Sequence, residues 1–297
     1  MFRVAALLLA VAALPARAED SVSIRKAILA DRAQDERWLK SDPQSYLAAV
    51  ARVDFGDKTT LSVGSGPDDD VRLQGLPARA LRITARPDGF LTEAVAPDVA
   101  FTVGKSTAAA PTRSAATGPE SLGVGRYRLR LSHQGYPAVI VFDPRSPRFK
   151  EYHGMRYFPV DLSYRFVVPL IPDTRGEKVA IRSTHSAQRQ AERVGWFELS
   201  VHGTPARLSA MRLLEPGAGP DDLTILFRDE TTGKESYSVG RYVDPVKRPD
   251  GRYVVDFNMA YNPACAFSPF YNCPIPPKEN YLAVPIRAGA KDPRYHK

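Results

Sequence analysis

Hydrophobic and polar positions change period along the chain, and the changes divide it into parts. In residues 21–50 the pattern is helical: Ile24, Ile28 and Leu29 recur among charges, and Trp38, Leu39, Tyr46 and Leu47 follow across an Asp42-Pro43 break. Short apolar runs then replace it. Residues 59–63 alternate and end at Gly64-Ser65-Gly66-Pro67, and runs at 71–73, 80–84, 91–94, 101–103, 127–131 and 138–142 continue the series. Strands at such spacing, with turn residues between them, predict a sandwich or barrel. Residues 106–121, rich in Ala, Thr, Ser and Pro, read as a long mobile loop within it.

Beyond residue 149 the runs become more aromatic. Tyr157-Phe-Pro-Val160 and Tyr164-Arg-Phe-Val-Val168 alternate, and residues 179–182, 196–201 and 223–227 are further strand candidates. Arg228-Asp-Glu-Thr-Thr-Gly-Lys-Glu235 reads as a hairpin turn, with Gly233 supplying a positive φ. Residues 237–243 and 253–258 are expected to pair around Pro249-Asp-Gly251. The fold class is therefore mainly β, with a helical segment at 19–50, a sandwich at 51–148 and a second β-rich domain at 149–297.

The first eighteen residues stand apart. Met1-Phe-Arg3, an apolar run over 4–14 and Ala16-Arg17-Ala18 have the layout of a secretory signal peptide, with cleavage expected after Ala18. The run is too short for a permanent membrane span, and no later run approaches one. The chain is accordingly expected to be periplasmic or secreted. Loss of Arg3 and Arg17, with no acid in residues 1–18, takes the formal charge from +8 to +6. Such a balance favours an anionic envelope component, or another envelope protein, as partner. Lys and Arg are scattered, without a basic run of five, so no nucleic acid is expected.

No cofactor is expected. Gly104-Lys105-Ser106 lacks the upstream glycine of a phosphate loop, since Val99 stands there. No metal is expected either, because His133, His153, His185, His202 and His296 are far apart and none has a partner four residues away.

Chemistry concentrates in residues 256–280. This stretch holds the only two cysteines, Cys265 and Cys273, with five prolines and a dense set of polar side chains. In an oxidising compartment the cysteines are expected to form a disulfide, whose ring of about nine residues contributes roughly 2.5 kcal/mol by loop entropy. Asp256 and Glu279 are candidates for a general acid/base pair, as in glycoside hydrolysis by carboxylates about 5 to 10 Å apart. Arg241 and Tyr242 would grip an anion, with Asn258, Tyr261, Asn262 and Asn280 orienting a ligand. The same residues also suit a purely structural role, since Asp and Asn cap turn amides and an irregular loop needs such bonds. Two function classes follow: a non-catalytic binding or scaffold protein of the cell envelope, and an envelope hydrolase using Asp256 and Glu279.

Two resemblances refine the fold. Leu61-Ser-Val-Gly-Ser-Gly-Pro-Asp-Asp-Asp-Val-Arg-Leu73, Leu76-Pro-Ala-Arg-Ala-Leu-Arg-Ile83 and Leu122-Gly-Val-Gly-Arg-Tyr-Arg-Leu129 resemble a forkhead-associated domain. That family holds phosphothreonine with a glycine-arginine pair and a serine-x-x-histidine stretch. Here Ser65 stands at the arginine place and Pro77-Ala-Arg-Ala80 replaces the second, so the resemblance implies a sandwich scaffold without phosphopeptide recognition. The second half resembles the bacterial family known as domain of unknown function 1684. It carries Tyr157-Phe-Pro-Val160, Asp229-x-Thr-x-Gly233 with Tyr237, Gly240-Arg-Tyr242, Asp256-Phe-Asn258, Tyr261-Asn-Pro263, Cys265-Ala-Phe267, Cys273-Pro274, Pro276-Pro277 and Glu279-Asn280. An acidic residue is replaced by Ala290. This resemblance implies a β-rich fold and no particular activity.

Overall fold

The structure, a computed structural model, describes residues 20–104, 109–133, 136–185, 188–215 and 218–293. The leader expected at 1–18, Lys105, Ser106 and His296 lie outside the described residues.

The chain begins with α1 (Ser21–Ser41), whose N-cap Asp20 accepts the Val22 N–H at 3.2 Å. Pro43 holds Asp42 extended (φ −77°, ψ 126°), so the helix stops there, well short of residue 50. One 3₁₀ turn follows at Tyr46–Ala48, and residue 49 already belongs to a strand. The helix is held less by an apolar stripe than by polar staples. Leu29, expected to face inward, is 56% exposed. Arg25 donates to Val160 O, while buried Arg32 donates to Phe158 O and Asn258 O, both at 3.0 Å, and lies 4.5 Å over the Tyr157 ring. Glu36 accepts the Tyr152 hydroxyl at 2.6 Å and the Met155 N–H at 2.9 Å.

Two five-stranded sheets follow. In spatial order one contains Ala49–Asp54 (β1), Pro137–Phe142 (β10), Tyr127–His133 (β9), Ser121–Val124 (β8) and Thr102–Val103 (β6). The other contains Val71–Arg72 (β3), Thr60–Gly64 (β2), Leu81–Arg86 (β4), Gly89–Ala94 (β5) and Ser114–Thr117 (β7). Their inner faces share a core that includes Phe55, Leu61, Ile83, Phe90, Phe101 and Leu129. The loop expected over 106–121 is corrected: β7 pairs with β5, and β8 begins at Ser121. Ala115 supplies enough apolar surface to pack against the core from an edge strand.

The remaining strands form three smaller sheets. One joins Arg165–Val168 (β11), Tyr253–Asp256 (β19) and Val246–Lys247 (β18). A second is built from Ile171–Pro172 (β12), Lys178–Arg182 (β13), Gln188–Val201 (β14) and Thr204–Leu213 (β15). A third contains Ile225–Asp229 (β16), Arg241–Val243 (β17) and Tyr281–Leu282 (β20). The hairpin of β14 and β15 turns at His202-Gly203, both at positive φ (48° and 87°), as a type I′ turn requires.

Three expectations are revised here. Residues 157–160 form no strand, only an isolated bridge from Tyr157 to Ala290. The turn at Pro249-Asp-Gly251 joins β19 to β18, while β17 pairs with β16. Strand β17 is buried on both faces, with Arg241, Tyr242 and Val243 enclosed, and the apolar strand beside it is Ile225–Asp229. Gly233 does adopt a positive φ (77°), though the connection it sits in runs from Asp229 to Arg241. A core of Phe197, Leu208, Ile225, Phe227, Phe257 and Ile286 unites the sheets, and a smaller cluster of Ile140, Phe142, Tyr271 and Cys273 joins them to the sandwich.

Candidate functional site

Arg241 is the centre of the C-terminal motif, and it is only 1% exposed. Its guanidinium donates to Asp229 Oδ2 at 3.0 Å, Ile286 O at 2.8 Å, Ala288 O at 2.5 Å and Ala290 O at 3.2 Å. Asp229 in turn accepts the Thr231 and Thr232 hydroxyls and the Ile286 N–H. Burial lowers the Arg241 pKa below its ordinary value, and the Asp229 carboxylate opposes that shift. Arg241 thus ties the closing segment 286–290 to the β16–β17 hairpin, where no anionic ligand can reach it.

The neighbouring candidates behave alike. Asn280 accepts the Ser209 N–H and hydroxyl (2.7 and 2.9 Å) and donates to Ser209 O and Leu226 O (3.0 and 2.8 Å). Asn258 exchanges bonds with the Asp161 backbone and donates to Asp256. The Tyr242 hydroxyl donates to Pro274 O. Asp256 also receives Arg165 at 2.9 Å, whereas Glu279 is exposed and pairs with Arg193 at 3.0 Å. Asp256 lines a cavity from which Glu279 is absent, so the two carboxylates do not meet there. Cys265 and Cys273 are adjacent, the Cys265 N–H donating to Cys273 Sγ at 3.2 Å.

That cavity is a cleft of about 1160 Å³ between α1 and the C-terminal sheets. One wall is the helix face carrying Ile24, Ala27, Ile28, Asp31, Asp35 and Trp38, residues that helical periodicity places one above another. The other is made from β18 and β19 together with Asp244, Met259, Tyr261, Asn262 and Phe267. Arg25, Arg32 and Glu36 hold the helix along the stripe beside this face. One end is aromatic: Tyr46 meets Trp38 edge-on (ring centroids 4.8 Å apart) and stacks on Phe267 at 5.7 Å. Burial pushes the Tyr46 hydroxyl up to about 12.

The polar groups of the cleft are mostly acceptors. Asp31 and Asp35 have raised pKa values, first through desolvation; for Asp35 the Asp31 charge adds to the shift. Desolvation likewise raises Asp244, which reaches solvent at the mouth and accepts the Tyr261 hydroxyl at 3.2 Å. Asn262 is 3% exposed. Its Nδ2 donates to Lys291 O at 2.7 Å, while Oδ1 is buried without a partner among the described residues.

Of the sequence-predicted set, then, Asp256, Tyr261 and Asn262 reach the cleft, and Arg241, Tyr242, Asn258, Glu279 and Asn280 do not. The residues that sequence reasoning missed are Asp31, Asp35 and Asp244, with Trp38, Tyr46 and Phe267. A signal existed: Asp31 and Asp35 are four apart, on the face bearing Ile24, Ala27, Ile28 and Trp38. Among the described residues, no group of three or more His, Cys, Asp or Glu side chains could hold a metal ion. The described histidines are dispersed, with His185 on Pro269 O and His202 beside Ser163. No described helix is long and apolar enough to cross a membrane.

Comparison with curated proteins gives no match. A solution NMR structure of an uncharacterised protein from Haloarcula marismortui is similar over 52% of this chain and 83% of its own, with 29% identity and a TM-score of 0.41. Residues 150–291 match the family described as Protein of unknown function (DUF1684), which supports the resemblance carried by the motifs from Tyr157 to Asn280.

Proposed function

We propose that this chain is a non-catalytic ligand-binding protein of the cell envelope, with its ligand seated in the cleft between α1 and the C-terminal sheets. One observation carries the reading. The polar residues of the C-terminal motif direct their hydrogen bonds almost entirely inward, whereas the cleft presents Asp31 and Asp35 beside an aromatic end built from Trp38, Tyr46 and Phe267. An apolar cavity with a few polar groups is the usual form of a small-molecule site. The hydrolase alternative lacks support, because Asp256 is engaged by Arg165 and Asn258 and Glu279 is engaged by Arg193 elsewhere.

The leader pattern of residues 1–18 supports export, and in an oxidising compartment Cys265 and Cys273 would close into a clasp. The sandwich would then be a forkhead-like scaffold lacking the arginine that grips phosphate. For the cleft, the test uses Nile red, a neutral apolar dye. Saturable binding to the native chain should disappear in Ala27→Trp, which fills the helix wall of the cleft, while the melting temperature is kept. Equal dye binding by both proteins overturns the reading. For location, cell fractionation with N-terminal sequencing should find the chain outside the cytoplasm beginning at Glu19; a cytoplasmic chain retaining Met1 would overturn export.

A further inference from the structure

The cleft's chemistry also selects its ligand, on the reading that the cleft is the binding site. The acceptors are available: among the described residues neither Asp31 nor Asp35 meets a cation within ion-pairing distance. The donors are largely engaged. Arg165 is held by Asp256 at 2.9 Å, Arg248 by Asp250 at 3.5 Å and the Tyr261 hydroxyl by Asp244, so Lys247, exposed on β18, is the exception. Five aspartates and three basic residues line the cleft, the reverse of a chain whose formal charge is +8. A ligand entering here must therefore bring N–H donors and positive charge.

Two further features narrow the class. The carboxylates do not converge as metal ligands do, so a compact divalent ion finds no shell among the described residues. The aromatic end built from Trp38, Tyr46 and Phe267 suits a planar or aliphatic body, and aromatic faces attract cations as well. We propose that the cleft binds an organic ammonium carried on an apolar body, with Asp31 and Asp35 supplying the opposing charge and the Trp38, Tyr46 and Phe267 rings receiving the body. The two aspartates lie one helical turn apart, where like charges repel; a bound ammonium relieves that repulsion and so is favoured beyond its own contacts.

A charge series of one shape tests this. The full chain is titrated calorimetrically at neutral pH with tryptamine, tryptophol and indole-3-propionate, which are cationic, neutral and anionic at similar size. Tryptamine should bind at least tenfold tighter than tryptophol, and indole-3-propionate should show no binding. The Asp31→Asn, Asp35→Asn double variant, altered only on the exposed helix face, should fold normally and narrow the tryptamine-to-tryptophol ratio to within about twofold. Equal affinities, a preference for the anion, no tryptamine binding, or an unchanged ratio in the double variant each overturn the ammonium inference. If Nile red is nevertheless lost in Ala27→Trp, the cleft survives as a binding site for another class; if it is not, both readings fall together.

Discussion

The Arg241 centre and the α1 cleft place charged groups in protein in opposite ways. Around Arg241 a buried guanidinium meets a carboxylate and three backbone carbonyls, and the partners lock a chain segment that has almost no regular structure. In the cleft, carboxylates line an open volume and wait for donors. The lesson is that density of polar residues in a sequence reports the need for hydrogen bonds, not who satisfies them. Where backbone is irregular, side chains take the place of strand and helix partners. Where secondary structure already satisfies the backbone, as along α1, polar groups on its cleft face are free for something else.

Breaking the first region should have the largest effect. Arg241→Met leaves Asp229 buried without its cation and should lower unfolding free energy by about 3–5 kcal/mol in urea titrations. A loss under about 1 kcal/mol would place Arg241 outside the structural centre. Asn280→Ala strips partners from Ser209 and from Leu226 O, and about 3 kcal/mol is expected from the buried groups left unsatisfied. The cysteine pair tests whether the same region can be clasped: protein exported through an oxidising compartment should lose about 2.5 kcal/mol on addition of reductant. An unfolding curve indifferent to reductant would show thiols throughout.

The smallest effect should have the opposite sign. Asp35→Asn removes one of two repelling carboxylates and should stabilise the chain by roughly 0.3 kcal/mol at pH 7 while weakening tryptamine binding. Its pH dependence follows from the direction of the shift. A carboxyl raised in the folded state holds its proton more tightly there than when unfolded, so ionisation destabilises the native chain. That penalty is present above the folded pKa and fades as pH falls through it toward the unfolded value. The advantage of Asp35→Asn in melting temperature should therefore shrink on acidification, and an advantage that grows instead would show Asp35 to be a stabilising carboxylate.

Much of the fold was legible because it rests on local signals. The Asp42-Pro43 break, the alternating runs of the sandwich and the positive φ of Gly233 all follow from steric rules within a few residues, although the helical pattern was carried past the break to residue 50. Strand β14 was half hidden, since Gln188-Arg-Gln-Ala-Glu-Arg193 reads as polar surface. The terminal nitrogens of its buried Arg189 donate to Asn272 O, more than eighty residues away, and to Glu215. Strand β7 was hidden by small residues whose burial depends on the neighbouring β5. At the site, Asp256, Tyr261 and Asn262 were found in the motif, but the facing wall was not, because α1 and that motif are over two hundred residues apart.

The amino-acid sequence by itself determined a mainly β chain headed by a helix, and it located the residues whose chemistry is concentrated near the end. Composition and alternation suffice for that, because strand and turn preferences act over neighbours. Only the tertiary structure decided which of those residues face inward and which face a cavity. Arg32 reaching Asn258 O, and Arg241 reaching Ala288 O, are bonds between segments brought together only by packing; they close one group of polar side chains and leave the α1 cleft open.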